Sequence, residues 1–516
     1  MKENKLIVFD TTLRDGEQTP GVSFSKEVKV QIALALEKLK VDVIEAGFPN
    51  ASQGDFDGVK AVAKAVKNCQ VAALARAKRE DIDRAWEAIC EAANPRIHTF
   101  ISTSTIHLEN DGMTTEQVIA DAVVAVSYAA TKTKNVQFSA QDASRSEKDF
   151  LCQVFDAVIK AGATTINIPD TVGYAEPDEF KALVAYVIDN TPSIKEYGVI
   201  VSVHCHDDQG LATANTLAGL KAGARQVEVA MNGIGERAGN TSLEEVVMCL
   251  KNRPSIYNLV TDIDTTKLVP TSKMVSMCSG VVIQPNKAIT GANAFAHESG
   301  IHQDKVAKNP LTYEIMTPES VGWEGKRFVM GKHSGRNGLG AQLQEMGYTL
   351  SKAELKKASE KIKALSDSGK QITEDDIEAI VADCLNGIPE EFKLISASAM
   401  TATGNDPNAS VKFSFRGKEI QSSAYGNGPV DALVKAVLRK IDMPIILSRY
   451  NIVGINGGSD ALAGVIIRLA CDGISSLGKS VESDVVLGSA EALFNGLNHL
   501  MYQLKNPKAI GTNPAE

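Results

Sequence analysis

Eight β-rich runs recur through the first 260 or so residues at intervals of roughly 25–40 residues, the length of one strand-plus-helix unit. They are LIVF (6–9), VDVIEA (41–46), VAALAR (71–76), RIHTFI (96–101), NVQFSA (135–140), TTINI (164–168), VIVSVHC (199–205) and QVEVAM (226–231). Amphipathic stretches such as KEVKVQIALALEKL (26–39) and TTEQVIADAVVAVSYAA (114–130) lie between them. Eight such units in one domain predict a TIM (β/α)8 barrel, of the α/β class. A doubly wound sheet would call for a Gly-rich GxGxxG turn after the first strand, and LRDGEQTPG does not supply one.

The rhythm changes near residue 265. Residues 266–390 read as a mostly helical linker or cap, with SKAELKKASEKIKALSD (351–367) and TEDDIEAIVADCL (373–385) as its clearest helices. Residues 391–505 return to alternating strands and helices in two similar halves, an α+β module behind a boundary near NGIPEE (386–391). The tail, 506–516, is expected to be loose. The expected domains are therefore 1–265, 266–390 and 391–505.

Charge and composition narrow the class. A net charge of −9 argues against a nucleic-acid or anionic-membrane binder. The eight cysteines, at 69, 90, 152, 205, 249, 278, 384 and 471, form no CxxC pair, so reduced thiols in a cytoplasmic protein are expected. No apolar run is long enough to span a bilayer, and MKENKLIVFD has no signal-peptide character.

A barrel carries its active site at the C-terminal ends of its strands. Those ends are dense in polar groups: Arg14 and Asp15, Glu45, Arg76, Ser139, Gln141 and Asp142, Asp170 and Thr171 with Tyr174, His204 and His206 with Asp207 and Asp208, then Asn232, Glu236, Arg237 and Asn240. His98 lies within the fourth run. Residues i and i+2 of a strand face the same way, so His204 and His206 present two imidazoles side by side. Asp15 can add a charged oxygen and Asn240 a neutral one. Such a mixed N/O set suits Mn²⁺, Zn²⁺, Co²⁺ or Mg²⁺. A 2-oxo acid chelating the ion through its keto and carboxylate oxygens would be activated by Lewis-acid polarisation. Arg14 would then stabilise the developing alkoxide, and Glu45 is the expected partner that neutralises Arg14. The segment after the eighth run also admits a plainer reading, in which Thr241 and Glu244 form a capping box for SLEEVVMCL.

Several longer stretches resemble the 2-isopropylmalate synthases: FDTTLRDGEQTPGVSFS, VIEAGFP, NIPDTVGY, SVHCHDD, NGIGERAGNTSLEEV, GANAFAHESGIHQD and GKHSGR. The resemblance spans nearly the whole chain. It implies a Claisen condensation of acetyl-CoA with 2-oxoisovalerate, followed by thioester hydrolysis, at the entry to leucine biosynthesis. It further implies Asp15, His204, His206 and Asn240 as metal ligands, Arg14 as keto-oxygen stabiliser, and Thr171 as the holder of the substrate carboxylate. His98, Ser139 and Gln141 match pocket positions. His302 matches a histidine proposed for acid/base chemistry, with Tyr313 as its helper. Mn²⁺ is the expected ion, with K⁺ as an accessory. A homodimer is implied, with leucine as effector of the C-terminal module through GNGPVDA (426–432).

The chain departs from the family pattern at three places. Gln141 stands where FSxEDA usually has Glu, Lys305 where HQDG has Gly, and Gln209 where Leu usually follows HDD. These differences keep open a related 2-alkylmalate synthase of the citramalate or homocitrate type. A lyase of the same superfamily and a non-catalytic leucine sensor are the more distant alternatives.

Overall fold

The computed structural model describes residues 4–299, 302, 305–306, 308–324, 339–340, 343, 350, 352–367, 377, 380, 390–454 and 463–505. GKHSGR, most of 373–385, residues 386–389 and the tail from 506 lie outside them.

All eight predicted runs form strands: β1 (Ile7–Asp10), β2 (Val43–Glu45), β3 (Gln70–Arg76), β4 (Pro95–Ser102), β5 (Val136–Gln141), β6 (Thr165–Asp170), β7 (Ile200–Cys205) and β8 (Gln226–Val229). Each pairs in parallel with its neighbour and β8 closes on β1. Strand alternation sorts the side chains. Val8, Ile44, Ala73, Phe138, Ile166, Val203 and Val227 face outward into one large apolar core shared with the surrounding helices. The opposite parity faces the barrel axis, where Ile7, Phe9, Val43 and Ala72 form a small buried apolar cluster. Much of that parity is polar and buried: Glu45, Arg96, His98, Gln137, Ser139, Asn167, His204 and Glu228. A barrel filled this way must satisfy its interior by hydrogen bonds.

The helices follow their sequence signals. Lys26–Leu39 starts at Ser25, whose hydroxyl accepts from Val28 N, and stops at left-handed Lys40. Thr115–Lys132 opens with a Thr114/Gln117 capping box. The capping box of the plainer reading, at Thr241 and Glu244, does not form. Ser242 is the N-cap and its side chain makes no capping bond. The Thr241 hydroxyl instead bonds Thr216 and Cys205 O, and Glu244 accepts from Asn232 N. Tertiary partners outcompeted the local cap.

The chain divides into two compact units, residues 1–296 with 314–325, and 297–313 with 326–516. In the second, β9 (Phe392–Ala402), β10 (Asn405–Phe415) and β11 (Lys418–Tyr425) form an antiparallel sheet followed by helix Pro429–Leu438. β12 (Ile446–Gly454), β13 (Ala463–Cys471) and β14 (Ile474–Glu482) repeat the arrangement, followed by helix Val485–Lys505. Both halves share one apolar core that includes Phe392, Phe413, Val437, Ile467 and Leu497. β11 and β14 are additional to the strands legible in the sequence. Among the described residues no helix is long and apolar enough to cross a membrane.

Candidate active site

The rim residues converge on a cavity of about 270 Å³ at the C-terminal end of the barrel. Arg14, Asp15, His98, Ser139, Gln141, Thr171, His204 and His206 all line it. Asn240 borders an adjoining cavity of about 450 Å³ and reaches Asp15 from that side, its Nδ2 donating to Asp15 Oδ1 at 3.1 Å. The ladder explains the juxtaposition, because His206 bridges to Asn240 across the strand-seven and strand-eight loops.

Asp15, His204 and His206 offer ligand atoms that all lie within 4.8 Å of one another. Both Nε2 atoms lie 3.8 Å from Asp15 Oδ2. Asn240 Oδ1 is buried and makes no hydrogen bond among the described residues, a costly arrangement unless a cation takes its lone pairs. Two imidazoles and a carboxylate therefore fit a divalent ion of the Mn²⁺, Zn²⁺, Co²⁺ or Mg²⁺ group, with the Asn240 amide beside them presenting its nitrogen to Asp15. Two of the three groups are held in ligand form; at His204, by contrast, burial works downward but Glu228 and Asp15 outweigh it and raise the imidazole above its ordinary value. Burial works to raise the Asp15 carboxyl, but Arg14 and the two imidazoles outweigh it and hold it well below the usual carboxylate range. Burial, then the neighbouring His204, pushes His206 down to about 4, so it is neutral near pH 7.

Arg14 is clamped beside this cluster. Its Nε donates to Glu45 Oε2 at 2.6 Å and its Nη1 to Asp15 Oδ2. Glu45 is thus the partner the sequence called for. Glu45 is fully buried, and it also accepts from the Thr11 hydroxyl and meets His98 Nδ1 at 2.6 Å. His98 Nε2 meets Ser139 Oγ at 2.6 Å, and Ser139 accepts from Asn167 Nδ2. His98 is therefore bound on both ring nitrogens and is not free to bind a metal. The Thr171 hydroxyl oxygen accepts from Asp142 N at 3.0 Å, which leaves its proton to donate. Arg237 crosslinks the loops after β6 and β7, bonding both Asp208 oxygens and Thr171 O.

Gln141 Oε1 accepts from Ser102 Oγ at 2.9 Å. A carboxylate would accept the same bond while adding a negative charge to the cavity wall. Gln141→Glu is expected to change the ratio of kcat/KM between 2-oxo acids of different side chain by about tenfold, the scale on which pocket contacts discriminate. Steady-state kinetics with a substrate panel checks this, and unchanged ratios would make Gln141 incidental.

His302 and Tyr313 lie in the second unit. They stand together there, ring centroids 4.3 Å apart. Lys305, at the position of the family's usual Gly, holds Nζ 5.9 Å from the Tyr313 ring.

Sequence reasoning missed six cavity residues: Leu74, Phe100, Pro169, Gln18, Asn167 and Glu228. The first three form an apolar wall and read in sequence as ordinary core. Asn167 and Glu228 carried a usable signal, since an amide or a charge inside a buried strand must face the polar interior.

Residues 5–275 match the HMGL-like family, 289–370 the homocitrate synthase post-HMGL domain-like family, and 371–501 the LeuA allosteric (dimerisation) domain. The chain is 50% identical over 502 residues to a 2-isopropylmalate synthase of Nitratidesulfovibrio vulgaris, covering 97% of each. Identity to that of Syntrophus aciditrophicus is 48% over 501 residues, again 97% of each. For Carboxydothermus hydrogenoformans it is 49% over 509 residues, 98% of this chain and 99% of the relative. The barrel, its rim cluster and this full-length identity lead to one conclusion: the chain belongs to the 2-isopropylmalate synthase family.

Proposed function

We propose that the chain is an acyltransferase that condenses acetyl-CoA with 2-oxoisovalerate and hydrolyses the thioester, giving 2-isopropylmalate and free CoA. The observation that carries this reading is the convergence of Asp15, His204 and His206 beside a clamped Arg14 in one cavity. In it, Asp15, His204, His206 and Asn240 would hold a divalent ion, Mn²⁺ by preference. When bound, that ion supplies Lewis-acid polarisation of a 2-oxo acid. Arg14 faces the keto oxygen and neutralises the charge that develops there as the acetyl carbon attacks. The Thr171 hydroxyl donates to the substrate carboxylate. Leu74, Phe100 and Pro169 receive the branched apolar side chain, a role consistent with their place on the cavity wall. His98 and Ser139 fix the wall behind it through the Glu45 network.

A second cavity of about 570 Å³ shares Arg14 and Gln18 with the first and is assigned to acetyl-CoA in this reading. His302 and Tyr313 are assigned to acid/base chemistry, an imidazole being matched to proton transfer near neutral pH. The functional divisions fall near residues 265 and 390. The C-terminal module, matched to an allosteric dimerisation domain, supports a homodimer with leucine as feedback effector. K⁺ is carried as an accessory ion from the family resemblance.

The test is a thiol-release assay with acetyl-CoA and a panel of 2-oxo acids, with and without Mn²⁺ or Mg²⁺. The highest kcat/KM is expected for 2-oxoisovalerate, and no release with any acid under any metal would refute the synthase reading. A stronger preference for pyruvate or 2-oxoglutarate would instead support a related alkylmalate synthase, the reading that Gln141 keeps open. Deleting the chain from residue 391 is expected to abolish inhibition by leucine while sparing part of the turnover. Inhibition that survives the deletion would overturn the regulatory assignment.

A further inference from the structure

Below the rim the barrel interior holds a fully enclosed guanidinium whose hydrogen bonds go to side-chain amides. Arg96, 2% exposed, donates Nε to Asn135 Oδ1, Nη1 to both Gln137 Oε1 and Gln226 Oε1, and Nη2 to Gln70 Oε1. A guanidinium has five N–H donors and no acceptor. Every amide that meets it must therefore present oxygen, which fixes orientations that the shape of an amide alone leaves open. Gln226, with its oxygen committed, turns Nε2 to Gln137 Oε1 and Ser202 Oγ. Gln137 Oε1 now accepts twice, so its Nε2 must face the other way, and it donates to Glu228 Oε1. The second Glu228 oxygen lies 3.0 Å from His204 Nδ1. That contact is within hydrogen-bond range although not aligned as one. His204 and Glu228 are direct partners in the β7–β8 ladder, which holds the approach in place.

We propose that Arg96 is a positioning residue: by fixing which way Gln137 faces, it engages one Glu228 oxygen and leaves the other for His204 Nδ1–H, so that His204 turns an Nε2 lone pair toward Asp15. The donors run one way, from guanidinium to amide to carboxylate, where the relay ends: Glu228 can only accept, on one oxygen from Gln137 and on the other from His204. An imidazole beside it is driven to the Nδ1–H tautomer. The proposal rests on the reading of His204 as a metal ligand for its functional meaning, but the tautomer itself is independent of that reading.

The direction can be reversed by one atom. In Glu228→Gln the new amide must offer its oxygen to Gln137 Nε2, so its own nitrogen faces His204 Nδ1, two donors opposed. The imidazole escapes by moving its proton to Nε2, the atom the metal needs. The swap Gln137→Glu with Glu228→Gln restores the original sense. The carboxylate then at position 137 accepts from Arg96 and Gln226 with one oxygen and from the amide at position 228 with the other. The oxygen of that amide turns back to His204. The swap also keeps the buried negative charge near Arg96.

The experiment uses full-length, metal-free protein labelled with ¹⁵N-histidine, chelated, at pH 8.5, by magic-angle-spinning NMR. The His204 signals are assigned by their loss in His204→Ala, and circular dichroism confirms folding of each variant. The wild type is expected to show Nδ1–H, Glu228→Gln to show Nε2–H, and the swap to return to Nδ1–H. Mn²⁺ affinity, read by electron paramagnetic resonance, is expected to fall about 10–100-fold in Glu228→Gln and to recover to within a few-fold in the swap. Retention of Nδ1–H in Glu228→Gln, or a folded swap that keeps Nε2–H, overturns the proposal. Should the swap not fold, the single variant decides alone. A tautomer that switches while Mn²⁺ affinity stays unchanged supports the chain of hydrogen bonds and counts against His204 as a ligand, so the two readings fail separately.

Discussion

Arg14→Ala is expected to lower kcat for CoA release by about 10²–10³-fold, the range seen when one donor to a developing oxyanion is removed. The guanidinium is held by two acids, Glu45 and Asp15, and lines the cavity beside the ligand cluster. The other arginine on that wall, Arg237, is bound to Asp208 and Thr171 O and cannot substitute without giving up those bonds. The substitution also strips Glu45 of its cation while leaving the Thr11 and His98 contacts. Removing one partner of a buried pair costs about 3–5 kcal/mol, so a lower melting temperature is expected as well. Catalysis and stability separate in Arg14→Lys. Lysine keeps a charge but not the planar fork that serves two carboxylates at once, so stability should largely return while kcat stays well below the wild type. Both variants should retain bound metal, because Arg14 is not a ligand. Wild-type kcat in Arg14→Ala would remove Arg14 from the chemistry.

His204→Ala is expected to weaken divalent-metal binding by more than about 100-fold. Losing even an outer partner of a ligand costs about 10–100-fold, so losing the ligand should cost more. The control is His98→Ala. His98 is equally buried in the same cavity, but both its nitrogens are bound, to Glu45 and Ser139. Its removal should disturb substrate kinetics and leave metal stoichiometry near the wild-type value. Metal content by atomic emission, with affinity from titration of stripped protein, checks both. Equal metal loss in the two variants, or none in His204→Ala, would contradict the ligand assignment.

The barrel was legible in sequence because each strand is buried on both faces and bounded by turn signals, leaving little room for another period. The pairing of the two imidazoles on the rim was legible because the i, i+2 spacing of His204 and His206 survives in any strand, and Asn240 is brought to His206 by the next loop. What the sequence hid has physical causes. KEIQSSAY and ISSLGKSVE are polar, glycine- and serine-bearing strands that do not announce themselves by apolar alternation. Gly478, inside the second, is required by close packing. A Cβ there would sit 1.8 Å from Ala492 O, on the helix Val485–Lys505. Thr241 and Glu244 have the spacing of a cap, but the fold offered them better partners. Leu74, Phe100 and Pro169 cannot be told from core residues until the cavity exists. The chain from Arg96 to His204 spans four strands, and no linear pattern in one sequence joins residues 96, 137 and 228.

The rim cluster is proposed to serve a metal-dependent condensation. Its most direct test is CoA release from acetyl-CoA and 2-oxoisovalerate by protein stripped with chelator and then titrated with Mn²⁺. Release is expected to be negligible before addition and to rise until it saturates near one ion per chain, with His204→Ala silent across the same range. Undiminished release from fully stripped wild-type protein would contradict that proposal.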